Sequence, residues 1–190
     1  MLLSEAVKDD HDSLVQAYIW AASTTSDYDP LPARDIFMVK VASCCIREEL
    51  ALLPVLQQTL PNSCEKIERC RLCHLSIQQR LRRLNKLSSD DVEFGSELAA
   101  LWVDLSAHIR ELDSNDLPLL EDVMSAGDSE SFARRYRESG AYAPDFTNAT
   151  TTVKMSTMLV EDFLGWNLHT RQESLLQNTS QYSAKPECQP

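Results

Sequence analysis

The chain has 190 residues, enough for one well-buried core but short for two independent domains. Hydrophobic residues make up 43% and charged residues 25%, and only four glycines are present, which excludes disordered and fibrous classes and disfavours an all-β fold. The formal net charge of −11 would repel phosphate groups, so we expect neither nucleic acids nor membrane surfaces as partners.

Four amphipathic segments of similar length follow one another along the chain. Apolar side chains recur in each at helical spacing, separated by short polar loops. Pro54 lies inside the second segment, and Asn115 and Pro118 lie late in the fourth, so each is expected to kink or interrupt its helix. The predicted helices cover residues 4–22, 33–60, 64–87 and 92–113, the last with a short continuation to 124. This pattern predicts an all-α protein, an antiparallel four-helix bundle.

Beyond the bundle the pattern weakens. We expect the bundle to occupy residues 1–126 and a C-terminal helical extension, residues 127–169, to pack on it. Within that extension the spacing predicts helices over 129–138 and 153–164. Residues 170–190 form a polar tail that lacks an apolar pattern.

The N-terminal and cysteine patterns predict a cytoplasmic protein. The opening run MLLSEAVKDD lacks the basic and apolar regions of a signal peptide, and no apolar run reaches the roughly 18 residues of a membrane span. The six cysteines are therefore expected to be reduced thiols. Cys70 and Cys73 have CxxC spacing, but they lie within a helical pattern without a second pair, which favours a packed helix face over a zinc site.

Polar residues interrupt the inward stripes of all four predicted bundle helices. His11, His74 and His108 lie on three of them and Glu48 on the fourth. Burying such groups without partners would cost several kcal/mol. Neutral imidazole and carboxylate are ligands for iron, manganese and zinc, and a set of two or three histidines with one carboxylate suits a non-heme iron that binds dioxygen or a substrate.

Four runs of the sequence resemble a known family. DDHDSLV, CCIREELALLP, CHLSIQQRLRRL and LSAHIRELDSNDLPLLE, in this order, are similar to the hemerythrin-like HHE cation-binding domain. The resemblance covers residues 4–124 and continues weakly through SESFARRY, as in longer fungal members. It implies a four-helix bundle with a metal site in its core.

The resemblance also implies a ligand set. The positions that match the family's ligands are His11, Glu48, His74 and His108. Two positions depart: Cys44 stands where the second helix would offer histidine, and Leu112 where the fourth would offer glutamate. Asp113 or Glu111 could replace the missing glutamate if the helix shifts, and Gln78 stands where oxygen carriers have a further histidine. Cys44 could supply a thiolate, although a cysteine on an apolar stripe is more often a small core residue.

These departures leave too few ligands for a full di-iron site and argue against reversible oxygen carriage. The first hypothesis is therefore a reduced iron site, mononuclear or asymmetrically dinuclear, which binds oxygen species or serves an oxygen-dependent oxidoreductase. Its expected ligands are His11, Glu48, His74, His108 and Asp113.

Two further hypotheses remain open. In one, the bundle has lost its metal and Glu48, His74 and His108 catalyse an acid–base isomerisation, cyclisation or dehydration of a small organic, natural-product-like molecule. In the other, the histidines form a purely structural polar network. The sequence does not distinguish the substrate or the oligomeric state.

Overall fold

The computed structural model describes residues 1–23, 31–88 and 90–139 together with Phe163 and Gly165. Within these ranges all regular secondary structure is helical, as predicted. Two short π-helical segments, π1 and π2, each interrupt a long helix. The elements in chain order are α1 (Leu3–Ser23), α2 (Leu31–Arg47), π1 (Glu48–Leu52), α3 (Leu53–Thr59), α4 (Cys64–Leu84), α5 (Phe94–Glu111), π2 (Leu112–Asp116), α6 (Leu117–Val123) and α7 (Ala126–Ser139).

Side-chain pairs show that neighbouring helices run antiparallel. On α4 and α5, Ser76 binds Asp104 whereas Arg80, further along α4, reaches back to Glu97. Residue numbers likewise rise on one rod as they fall on its neighbour in three other couples of contacts. Asp10–Arg47 and Ser13–Lys40 join the first and second rods. Ser4–Glu121 and His11–Asp113 join the first and fourth, and Arg34–Leu87 and Glu49–Arg71 join the second and third. The four rods α1, α2–π1–α3, α4 and α5–π2–α6 thus form the predicted antiparallel bundle.

The two prolines account for the π segments. Proline has no N–H, and its ring clashes with the carbonyl four residues earlier, so a regular α-turn cannot pass through it. Just before Pro54 and Pro118 the helix widens by one residue: Leu53 N–H donates to Glu48 O, and Leu117 N–H donates to Leu112 O. Each rod therefore continues past its proline, and the widened turn changes which side chains face the core.

The bundle core consists of two apolar clusters separated by a polar layer. Each rod places one buried polar residue in this layer, with a buried apolar residue before it in one cluster and another after it in the other. On α1, for example, Val7 and Leu14 lie on either side of His11. Buried residues of α7, Ala133 and Tyr136, join the cluster at the π1 end. The layer between the clusters contains His11, Glu48, His74 and His108.

The predicted C-terminal helix of residues 153–164 and the tail lie outside the described residues, apart from Phe163, which is helical and buried in the core. None of the helices that the structure describes is long and apolar enough to cross a membrane.

The prediction of six reduced cysteines is wrong for one of the described residues. Cys64 is disulfide-bonded. The cysteines described as free thiols are Cys44, Cys45, Cys70 and Cys73. Cys70 is buried in a core cluster and Cys73 packs against one, as expected for a packed helix face. The spacing of cysteines along a chain does not reveal which of them a fold brings together, so the sequence could not exclude this bond.

Candidate metal centre

Four polar side chains, one from each rod, meet in the middle of the bundle. His11, Glu48, His74 and His108 have relative exposures of 1%, 0%, 0% and 5%. These are the residues that the inward stripes predicted, and the structure brings all four together. A helical stripe places one residue per turn on the same face, so their positions followed from spacing alone.

Glu48 is the centre of this cluster. Its Oε2 accepts hydrogen bonds from Nε2 of His74 at 2.8 Å and Nε2 of His108 at 2.7 Å. Its Oε1 lies 3.5 Å from Nε2 of His11 and accepts a hydrogen bond from the Cys44 thiol at 3.2 Å. One carboxylate thus joins two groups of side chains, one at each oxygen.

Two further carboxylates hold the far nitrogens of the histidine rings. Nδ1 of His74 lies 2.8 Å from Oε1 of Glu49, and Nδ1 of His11 lies 2.8 Å from Oδ1 of Asp113. Glu49 is nearly buried and also lies 3.4 Å from Arg71 Nε. A carboxylate on Nδ1 fixes the tautomer of an imidazole and directs Nε2 toward a ligand.

Both carboxylates lie at the start of a π segment, Glu49 in π1 and Asp113 in π2. In a regular α-helix, consecutive residues point about 100° apart, so the stripe through Glu48 did not predict that Glu49 also contacts the site. Sequence reasoning missed Glu49 because it lies one residue off that stripe. Asp113 follows His108 by five residues rather than four and lies against His11. In this conformation it contacts the ring nitrogen remote from Glu48.

The electrostatics of the cluster favour charged pairs when no metal is bound. Burial alone would lower the pKa of His11 and of His74. The hydrogen bond to Asp113 and the nearby Glu48 carboxylate nevertheless raise the pKa of His11 to about 9, and hydrogen bonds to Glu48 and Glu49 raise the pKa of His74 to about 9. Burial also opposes charge on His108, yet the Glu48 carboxylate raises its pKa. Burial alone would raise the pKa of Glu48, but the three histidines hold it well below its usual value.

The remaining predicted positions have other roles. Leu112 is fully buried in the apolar cluster, so packing has replaced a carboxylate there. Gln78 donates a hydrogen bond to the Phe163 carbonyl and thereby ties the C-terminal segment to α4. Burial raises the pKa of the Cys44 thiol well above its usual value, so it carries its proton in the metal-free protein.

A small cavity between α1 and α2 is bounded by Cys44, which donates a hydrogen bond to Glu48. Its volume is about 50 Å³, room for a few water molecules. Cys44 forms part of the wall, so the cavity lies on the Oε1 side of Glu48. Its lining residues are Asp10, Ser13, Leu14, Lys40, Ser43, Cys44 and Arg47.

The donor atoms fit a metal ion. Glu48, His74 and His108 offer atoms that all lie within 4.8 Å of one another, and so do His11, Cys44 and Glu48. Adjacent ligand atoms of an octahedral ion are roughly 3.0 Å apart when metal–ligand bonds are about 2.1 Å long. The distances from Glu48 Oε2 to Nε2 of His108 and to Nε2 of His74, 2.7 and 2.8 Å, are close to this value. Nε2 of His11 is buried and makes no hydrogen bond to any described residue, and it forms an ion pair with Oε1 of Glu48 at 3.5 Å.

A comparison with curated proteins identifies a relative. Over 154 residues, covering 80% of this chain and 75% of the relative, the chain is 23% identical to an uncharacterized hemerythrin-like protein of Schizosaccharomyces pombe. No family model matches the chain, and no solved structure matches it. The resemblance to the hemerythrin-like family is confirmed by this relative, and the all-α bundle by the structure. The chain is thus an all-α helical bundle that is similar to a hemerythrin-like protein and has histidine–carboxylate groups in its core that could hold a metal ion.

Proposed function

We propose that this protein binds iron in the polar layer of its bundle and uses it as an oxygen-dependent oxidoreductase. The observation that supports the proposal is the convergence of three imidazole Nε2 atoms on the two oxygens of the fully buried Glu48. Nε2 of His11 makes no hydrogen bond to a described residue and lies 3.5 Å from Oε1 of Glu48, a looser contact than a network built only for hydrogen bonding is expected to keep.

The protein's own residues prepare the ligands. His74 and His108 offer Nε2 lone pairs once their protons leave, and Glu48 offers a carboxylate whose lowered pKa keeps it ionised. Glu49 accepts a hydrogen bond from Nδ1–H of His74, which selects the tautomer with a free Nε2. Asp113 acts in the same way on His11, so its expected role is to orient a ligand. Iron held by such a set would supply redox and Lewis-acid chemistry toward dioxygen or a small substrate.

The surroundings restrict what can reach the layer. Apolar clusters cover it on both sides along the bundle axis, and the cavity beside Cys44 measures about 50 Å³. Typical sites for organic ligands measure about 300–1,000 Å³. Dioxygen or another molecule of a few atoms fits this cavity.

The metal-free acid–base enzyme is the second candidate, and the same features weigh against it. A general base works best with a pKa near the working pH, whereas the histidines hold the pKa of Glu48 well below its usual value. The small cavity also leaves little room for an organic substrate.

The metal content of variants tests the proposal. Protein would be expressed with iron, purified without chelators or nickel, and analysed by elemental mass spectrometry and by oxygen consumption after reduction. We expect at least one iron per chain in the wild type and in Glu68→Gln, a control on the exposed face of α4. His74→Gln and His108→Gln should lose that iron and the oxygen consumption while remaining helical. Equal iron in all four proteins, or none in any, would overturn the proposal.

A further inference from the structure

The cavity between α1 and α2 has a polar wall. Four of its lining residues come from one stripe of α2 at helical spacing: Lys40, Ser43, Cys44 and Arg47. The other three come from α1. The stripe between two packed helices is ordinarily apolar. Two cationic residues, a serine and a cysteine on this stripe therefore indicate that the cavity holds a polar occupant.

The wall has a charge opposite in sign to that of the chain. Lys40 and Arg47 are cationic and Asp10 is the one carboxylate among the lining residues, so the wall has a formal charge of +1, whereas the whole chain has −11. Arg47 donates to Asp10 across the two helices, and Lys40 donates to Ser13. Burial lowers the pKa of Lys40, and the Arg47 charge lowers it further despite the Asp10 carboxylate. An anion in the cavity would offset the repulsion between the two cations.

Two donors of this wall are buried without a hydrogen-bond partner. Ser43 Oγ and Arg47 Nε reach no acceptor in the part of the chain that the structure describes. Ser43 is only 7% exposed, and Arg47 uses Nη1 for its contact with Asp10. Buried donors are nearly always paired, and an exception in a cavity indicates a bound water or ion. An acceptor inside the cavity would pair both groups.

The volume limits what the occupant can be. The cavity measures about 50 Å³, and one water-sized group needs roughly 10–15 Å³ of such a volume. The space thus holds about three or four such groups. Formate and bicarbonate are of this size and have a single negative charge, which matches the charge of the wall. Sulfate has more atoms and twice the charge.

We propose that this cavity binds a small monovalent oxyanion, of the chemical class of formate or bicarbonate, between Lys40, Arg47 and the Ser43 hydroxyl. The two cations supply charge-assisted hydrogen bonds and the hydroxyl supplies a neutral one. Cys44 separates this site from the polar layer, because its thiol lines the cavity and donates to Glu48. That thiol keeps its proton, since burial raises its pKa, so it does not repel the anion.

The inference does not depend on the proposed function. Lys40, Ser43 and Arg47 are not among the proposed metal ligands, and the anion would bind to the metal-free chain. Because the volume admits only a few atoms, a bound anion would compete with dioxygen for the same space.

Saturation-transfer NMR on the proton of formate, titrated into the chelator-treated chain, tests the site. We expect one saturable site in the wild type and in Lys8→Met, a matched control that removes an exposed charge from α1. Lys40→Met should bind formate at least tenfold more weakly, because it removes a cation from the wall. Ser43→Ala should bind it a few-fold more weakly without a fall in melting temperature, because the lost hydroxyl has no partner among the described residues.

Each contrary result would overturn the site. The wild type would then show no saturable signal, or Lys40→Met would bind formate as tightly as Lys8→Met does. If circular dichroism shows that Lys40→Met is unfolded, wild-type affinity in Ser43→Ala overturns the site instead. Displacement of formate by an equal concentration of sulfate would overturn the assignment to a small monovalent anion. The metal content measured under the proposed function is independent of all these results.

Discussion

The two sides of Glu48 differ in how completely their polar groups are satisfied. Around Oε2, His74 is held at both ring nitrogens, by Glu48 and by Glu49, and His108 is bonded through Nε2. Around Oε1, His11 Nε2 is without a hydrogen bond and a cavity reaches the Cys44 wall. The same carboxylate thus serves one closed and one open side.

The difference in pairing suggests that the Oε2 side of Glu48 contributes to stability and that the Oε1 side is the more accessible to a ligand. A buried polar network that is fully paired stabilises the fold, whereas an unpaired buried donor costs free energy unless something binds it. The Oε2 side can therefore persist without a metal. The Oε1 side has the geometry of a place where an external ligand enters.

Replacing Glu48 removes the group that both sides share and should have the largest effect. We expect Glu48→Gln to abolish metal binding and to lower the free energy of unfolding of the metal-free chain by about 3–5 kcal/mol, because it leaves buried histidines without their counter-charge. Elemental analysis and urea unfolding measure the two effects, with Glu65→Gln on the exposed face of α4 as control. Unchanged metal content in Glu48→Gln would show that the ion lies elsewhere.

The stability of the metal-free chain should depend on pH in a direction set by the histidines. The folded pKa of His11 and of His74 is about 9, above the ordinary value of 6.5. The folded state therefore binds more protons, so this stabilisation is complete below pH 6.5 and is lost as pH rises to about 9. Urea unfolding between pH 6 and 9.5, in chelator, should show falling stability, less steeply in Asp113→Asn. A rise with pH in this window would contradict the charged pairs.

Metal affinity should show the opposite dependence on pH. An ion must displace the protons from the imidazoles, so its apparent affinity should increase as pH rises over the same window. Cobalt titrations at two pH values measure this. Equal affinity at both would mean that the histidines are not ligands.

The carboxylates behind the histidines should raise metal affinity by orienting the rings. Glu49→Gln, behind His74, and Asp113→Asn, behind His11, should each weaken metal binding by about 10–100-fold, because each releases one imidazole from its fixed orientation. Competition with a metal-binding dye measures the affinities. Affinities equal to that of the wild type would mean that these carboxylates do not position ligands.

The smallest effect is expected at Arg71. This half-buried residue lies 3.4 Å from Glu49, which holds the proposed ligand His74. Arg71→Gln should weaken metal binding by a few-fold. A loss as large as that of Glu49→Gln would mean that Arg71 positions the carboxylate on its own.

Much of this architecture was predictable because it depends on helical periodicity. The four rods and the inward positions of His11, Glu48, His74 and His108 follow from spacings of three and four residues. Glu49 lies one residue off the helical stripe, and the contact of Asp113 with the far nitrogen of His11 depends on how two helices pack, so a regular period could not represent either role. The disulfide bond of Cys64 was not predictable, because the fold and not the spacing of cysteines in the sequence decides which of them pair.

Anomalous diffraction at the iron edge, from crystals of the iron-loaded chain, tests the central claim most directly. The account predicts a peak within bonding distance of Nε2 of His74, Nε2 of His108 and a carboxylate oxygen of Glu48. A polar layer without anomalous density, in which Glu48 still accepts hydrogen bonds from both histidines, would contradict it.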